Sequence, residues 1–210
     1  MILGLGDCNM GGAENFRGKT YVQLVGEELG DEAINRGITM STTREGLILL
    51  SEYQSQNPSI LILAYGLVDS WKTFRYAPYV LYYPDNPLRK IARKAVKKYK
   101  KMARKWGLND RLGQKYVVEP EEYRHNLTRM IQGSDRVFLI ETPPHRRQTF
   151  RNPDIQKYNA ILKELSQKFD NAKLIEIYDD FLSDKDLYLD DIHMSQKGYD
   201  LVAKKILESL

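Results

Sequence analysis

The sequence predicts a single α/β domain in which a parallel sheet carries helices on both faces. Three observations lead there. Short β-type runs alternate with longer segments of helical periodicity along most of the chain. The 210 residues contain no long polar or Pro/Gly-rich break that would divide them into two units. Hydrophobic residues at 42% against 29% charged give the balance of a chain that packs a core.

Taken in order, the strands are expected at Ile2 to Gly6, Ala33 to Asn35, Ser59 to Tyr65, Arg136 to Glu141 and Lys173 to Ile177. Helices fall between them at Thr20 to Leu29, Thr43 to Gln54, Pro120 to Ile131 and Asp154 to Phe169, with a last one from Ser195. Pro120 suits a first helical turn, Asp154 follows Pro153, and Ser195 precedes an apolar stripe of Leu201, Val202, Ile206 and Leu210. That stripe has the spacing of one buried helix face, so it is assigned to packing. Between the third strand and Pro120 lies an insertion, at about residues 70–118, longer than an ordinary connection. The chain thus reads as one domain over 1–210 with this insertion in it.

Several classes of protein are excluded. No apolar run approaches the roughly 20 residues of a membrane span. Met1 to Leu5 lacks the basic flank and length of a signal peptide, which predicts a cytoplasmic protein. The single cysteine forbids an internal disulfide and any multi-cysteine metal site, and no three- or four-ligand cluster stands elsewhere. Neither metal nor cofactor is expected.

In an open parallel sheet, ligands bind outside the carboxyl ends of the strands. Gly6-Asp7-Cys8-Asn9 follows the first strand, Asn35-Arg36-Gly37 the second, and Gly66-Leu67-Val68-Asp69 the third, while Asp190-Asp191-Ile192-His193 precedes the last helix. In motif order and strand position these blocks resemble the SGNH, or GDSL-type, hydrolases. The resemblance spans nearly the whole chain outside the insertion. It implies a flavodoxin-like three-layer α/β/α sandwich whose five parallel strands lie in the order 2-1-3-4-5.

The resemblance also implies roles. Cys8 stands where the family has its nucleophilic serine, and Asp190 and His193 match the last block, giving a Cys8-His193-Asp190 triad. The oxyanion donors would be Cys8 and Gly37, with Asn9 or Asn35 replacing the family's third-block asparagine. That asparagine is Val68 here, and losing one such donor costs on the order of 3 kcal/mol in the transition state. A base within hydrogen-bond reach and a third group to orient it are what a thiol nucleophile needs. A neighbouring imidazolium or a helix N-terminus would lower its pKa. Against this stands a bland reading of Cys8 as a small side chain filling space at a strand end. Gly66, Asp69, Trp71 and His145 are the expected substrate contacts, His145 also being readable as a plain loop histidine. A second literal match, Gly107-Leu108-Asn109-Asp110, follows a helix and reads as its C-terminal cap.

The insertion opens on Trp71, Phe74, Tyr76, Tyr79, Tyr82 and Tyr83. These rings read either as a wall for sugar rings or acyl chains or as anchors for the insertion. A basic amphipathic helix over 89–106 follows, threaded with Ile91, Tyr99, Met102 and Trp106. It suits an anionic membrane surface, an acidic glycan or a partner protein, and no nucleic-acid module accompanies it. The expected function is hydrolysis of an O-acylated glycan or glycolipid. Acyl transfer to a sugar hydroxyl and non-catalytic glycan binding are the alternatives.

Overall fold

The computed structural model describes residues 1–210. In chain order the elements are β1 (Ile2–Gly6), α1 (Cys8–Gly11), α2 (Tyr21–Leu29), β2 (Ala33–Gly37), α3 (Thr43–Tyr53), β3 (Ile60–Ala64), β4 (Lys72–Phe74), α4 (Pro87–Lys105), α5 (Leu108–Leu112), β5 (Gln114–Tyr116), α6 (Pro120–Gln132), β6 (Val137–Ile140), α7 (Asn152–Lys168), β7 (Ala172–Ile175), α8 (Tyr178–Ser183) and α9 (Gln196–Glu208). The five-stranded sheet has the order β2-β1-β3-β6-β7, all pairs parallel, which is the arrangement expected from the sequence.

Alternation along the central strands makes the two outer layers. Ile2, Ile60, Ile62 and Phe138 join a core with Val22, Val25, Val202 and Ile206 from α2 and α9. Leu3, Leu5, Leu61, Leu63 and Leu139 point the other way, onto Leu49, Leu127, Ile131 and Leu162 from α3, α6 and α7. Strands with helices on both sides bury both faces, so they read as continuous apolar runs.

The register decides where the loops emerge. Gly6 pairs with both Gly37 and Ala64, so β1, β2 and β3 end level and their following residues leave the sheet side by side. Close approach at this rim excludes side chains. A Cβ on Gly6 would stand 2.7 Å from the Ala64 carbonyl oxygen, and one on Gly37 would stand 2.2 Å from the Gly11 nitrogen.

The insertion is a small structure of its own. Antiparallel β4 and β5 form its base, Lys72 facing Tyr116, and α4 and α5 stand upon it. Three-residue strands carry too little alternation to be seen in a sequence, and this ribbon was not anticipated. Gly107 takes a left-handed conformation, φ 64°, and terminates α4, as its position predicts. Ala103 of α4 packs on Phe74 and Ala77. No helix is long and apolar enough to cross a membrane.

One buried carboxyl ties this insertion to the domain. Glu45, fully buried near the start of α3, accepts hydrogen bonds from the Thr42 N–H (3.0 Å) and hydroxyl (2.6 Å) through Oε2. Through Oε1 it accepts from the Tyr79 hydroxyl (2.8 Å) and the Tyr82 N–H (2.7 Å). Replacing Glu45 with Ala removes the acceptor of two buried and two part-buried donors, so a loss of about 3 kcal/mol is expected in urea unfolding. Glu45→Gln, which keeps acceptor capacity through its one carbonyl oxygen, is expected to lose less. Equal stability of Glu45→Ala and wild type would refute the anchor.

Candidate active site

Cys8 begins α1, one residue beyond the residue that leaves β1. Asp7 caps that turn, its Oδ1 accepting from the Asn9 N–H at 2.9 Å. The Cys8 side chain, 5% exposed, packs with Leu67, Ile155 and Tyr178, and Trp71 and Ile192 lie against the same cluster. The Cys8 N–H has no acceptor in the protein. The Asn9 amide is buried, and its Oδ1 has no hydrogen-bond partner. Of the three expected oxyanion donors, the Cys8 N–H is therefore unengaged beside the thiol.

The loop before α9 carries the expected base, His193. Asp190 Oδ1 accepts from the N–H groups of Ile192 and His193, both at 2.8 Å, which fixes the turn. Its Oδ2 lies 2.6 Å from His193 Nδ1. A carboxylate on Nδ1 assigns the proton to that nitrogen and leaves Nε2 as the acceptor. Burial pushes the Asp190 carboxyl up, but the bonds from His193 and Ile192 outweigh it and hold its pKa below the ordinary value. No hydrogen bond joins Cys8 Sγ to the His193 ring in this structure. Their shared location rests on Ile192, which packs on the Cys8 cluster, and on Asp190, whose charge acts on the thiol.

The electrostatics differ from the sequence expectation. Burial, then the negative Asp7 and Asp190, pushes the Cys8 thiol well above its usual pKa. An α1 of four residues has little dipole to oppose them. The resting group is a neutral thiol, and it becomes a nucleophile only as its proton leaves for a base.

Four expected contacts receive other roles. The Gly37 N–H donates to Asn35 Oδ1 at 2.8 Å, so it is engaged within β2, and Gly37 is small because Gly11 packs on it. Asn35 is likewise committed, its Nδ2 donating to the Met10 carbonyl (3.0 Å) and Thr20 Oγ1 (2.8 Å). Further along this loop, the N–H of Met40, whose φ is 68°, has no acceptor in the protein. A left-handed methionine leaves no mark in a sequence, so this amide was not anticipated. Gly66 is buried with φ 137°, and a Cβ there would meet Thr142 Oγ1 at 2.5 Å. Asp69 is fully buried, its Oδ1 accepting from the Thr43 N–H (3.0 Å) and hydroxyl (2.8 Å), which braces the β3 loop against α3.

His145 is 7% exposed and organises its own loop. Its N–H donates to Asn152 Oδ1 at 2.8 Å and its Nδ1 accepts from the Gln148 N–H at 3.1 Å. Burial, then the Arg151 charge, lowers its pKa, against the raising effect of Asp191 and Asp190. Trp71 is the expected contact that does reach the site. It packs on the Cys8 cluster, and the Arg151 guanidinium lies 4.6 Å from its ring centre. The remaining aromatics divide differently: Phe74 is buried and Tyr79 anchors the insertion, while Tyr76 is 61% exposed.

Val68 is buried and brings no donor. Beneath the site, burial raises the Asp69 carboxyl to about 7, opposed by the Thr43 donors and reinforced by the charge of Glu45. An acid whose folded pKa lies above its unfolded value of 3.8 favours the fold below that value. The benefit fades as pH rises to about 7. Asp69→Asn, which does not titrate, is therefore expected to gain on wild type by about 4 kcal/mol between acid and alkaline conditions. Melting curves of both proteins across this range test it, and a constant difference would refute the assignment.

A model described as the GDSL-like lipase/acylhydrolase family matches residues 4–201. Among solved structures, the chain is similar to a catalytic mutant of an acetylxylan esterase from Geobacillus stearothermophilus, with 19% identity and a TM-score of 0.63 over 99% of this chain and 92% of that one. It is also similar to a member of the lipolytic G-D-S-L family from Veillonella parvula, with 14% identity and a TM-score of 0.64 over 99% and 96%. A structure named TesA has 15% identity and a TM-score of 0.61 over 100% and 97%. No curated protein matches the chain in sequence.

Proposed function

The chain belongs to the GDSL-like lipase/acylhydrolase family of carboxylic ester hydrolases, and from that premise we propose that it cleaves its ester through Cys8, His193 and Asp190. The observation that carries this reading is the 2.6 Å bond between Asp190 Oδ2 and His193 Nδ1, which leaves Nε2 free at the rim where Cys8 stands. His193 Nε2 takes the Sγ proton as the sulfur attacks the ester carbonyl carbon. The carbonyl oxygen becomes an oxyanion, stabilised by the Cys8 N–H, the Asn9 amide and the Met40 N–H. Collapse expels the alcohol, which leaves with the proton from His193, and an acyl thioester remains on Cys8. Water then attacks with His193 again as base, releasing the carboxylic acid and the free thiol. Asp190, ionised throughout, stabilises the imidazolium in both halves.

An acylated glycan or glycolipid is the substrate we favour, because Trp71 with Arg151 stacked upon it offers an aromatic and cationic wall next to the thiol. Acyl transfer to a sugar hydroxyl is a second reading. It is favoured by the apolar lining of Leu67, Ile155 and Tyr178 around Cys8, which keeps water from the thioester. The second partner we assign, an anionic membrane surface, rests on α4 rather than on this site.

Incubation with activated short-chain esters followed by intact-mass measurement tests the mechanism. One acyl adduct per chain is expected, absent from Cys8→Ala and slowed at least about a hundredfold in His193→Ala. An adduct that survives loss of Cys8 would rule out the thioester. Absence of any turnover would instead favour a glycan-binding protein. In the active case, Val68→Asn supplies a side-chain donor and is expected to raise kcat about tenfold or more with little change in KM. An unchanged kcat would show that Asn9 or Met40 already fills that position.

A further inference from the structure

We propose that α4 docks the protein on an anionic membrane surface through an apolar stripe that the fold leaves uncovered, and that it does so beside the active site. The helix has three faces. Ala92, Val96 and Ala103 turn toward the domain and are the less exposed positions, Ala103 seating on Phe74 and Ala77. About a quarter-turn away, at spacings of three, eight, three and four, run Leu88, Ile91, Tyr99, Met102 and Trp106. These five are 79%, 65%, 41%, 37% and 57% exposed. The remaining face is basic, and no Asp or Glu occurs between residues 87 and 106. Lys90 and Arg93 pair with Asp85, whereas Lys94, Lys98, Lys101 and Lys105 have no ion-pair partner in the protein.

An apolar line along a helix whose flanking charges share one sign is the pattern of a helix lying in a bilayer interface. The stripe extends along the whole helix, about 28 Å at the α-helical rise. A protein hot spot would instead concentrate its apolar anchors at one point. Trp106 and Tyr99 have the amphipathic rings favoured at the headgroup level, and lysine stems reach outward from the buried line to anionic phosphates. Charge complementarity therefore selects anionic lipid over a neutral bilayer. Too few apolar residues lie on α4 for it to cross the membrane, so it binds along the surface.

The insertion that carries α4 springs from the rim where the nucleophile sits. The Val117 N–H, just after β5, donates to the Trp71 carbonyl at 2.8 Å, and Trp71 packs on the Cys8 cluster. Docking would thus hold the Cys8 rim near the bilayer, a consequence that rests on the esterase reading and points to a membrane-borne ester. The docking itself does not depend on that reading.

Co-sedimentation of the full chain with phosphatidylcholine vesicles, with and without phosphatidylglycerol, is the test. Binding is expected only with phosphatidylglycerol, weakening as salt rises. Ile91→Ser combined with Trp106→Ser, both at exposed positions, is expected to weaken it at least tenfold while leaving the melting temperature unchanged. Cys8→Ala should bind like wild type, which separates this proposal from the chemistry. Failure to sediment with phosphatidylglycerol vesicles at low salt would overturn it. So would undiminished binding of the double variant, which would reduce the helix to a diffuse cationic surface that any polyanion attracts.

Discussion

Close backbone packing at the carboxyl end of β1 is the constraint from which the site follows. Gly6 leaves no room for a side chain between Ala64 and Met10, and Gly11 and Gly37 touch directly. The chain must therefore turn sharply where three parallel strands end level, and Asp7 caps the turn that this produces. The cysteine then follows at the start of a short helix, with its N–H unengaged and its side chain against Leu67 and Ile155. Placement of Cys8 is thus a consequence of strand register and of three missing side chains.

The same compactness sets the chemistry. Asp7 is 1% exposed and burial pushes its carboxyl up to about 7, with the Asn9 N–H opposing and the charge of Asp69 assisting. Burial disfavours charge on the adjacent sulfur, and an acid held there adds its repulsion, so both keep the thiol neutral. A papain-like ion pair would require the opposite field. In the proposed mechanism, proton removal by His193 and attack by sulfur would therefore have to be coupled, with Asp190 holding the ring and compensating its charge. The proposed sulfur nucleophile would then work under the restrictions that a hydroxyl would meet.

The layered fold was legible because its signals are periodic: apolar runs for strands buried on both faces, striped helices between them, and punctuation at Pro120 and Ser195. Cys8, Asn9, Asp190 and His193 stand out in the sequence because they belong to short local turns whose side chains have little choice of direction. Gly37, Gly66, Asp69 and His145 make internal contacts that the sequence does not announce, for a common reason. Position after a strand places a residue at the correct rim, but it does not say whether the residue faces the cleft or the interior. Asp69 looks like a ligand-binding acid until Thr43 is found beneath it. Long-range pairings of this kind, like the one between Glu45 and Tyr79, leave no trace in spacing.

Trp71 shows how the two parts of the molecule are mechanically joined. Its ring closes one side of the Cys8 cluster and stacks on Arg151, while its carbonyl accepts from Val117 at the far end of the insertion. β4 begins with the next residue. A displacement of the β4 and β5 ribbon therefore reaches the wall of the nucleophile through one residue, without passing through the sheet. The Glu45 bonds to Tyr79 and Tyr82 resist that displacement from a second point, on α3. With the insertion held at both places, Cys8 stays 5% exposed, packed with Leu67, Ile155 and Tyr178 and with Trp71 against the same cluster. Under the proposed mechanism the domain would therefore meet the acyl group, and the insertion would meet the molecule that bears it.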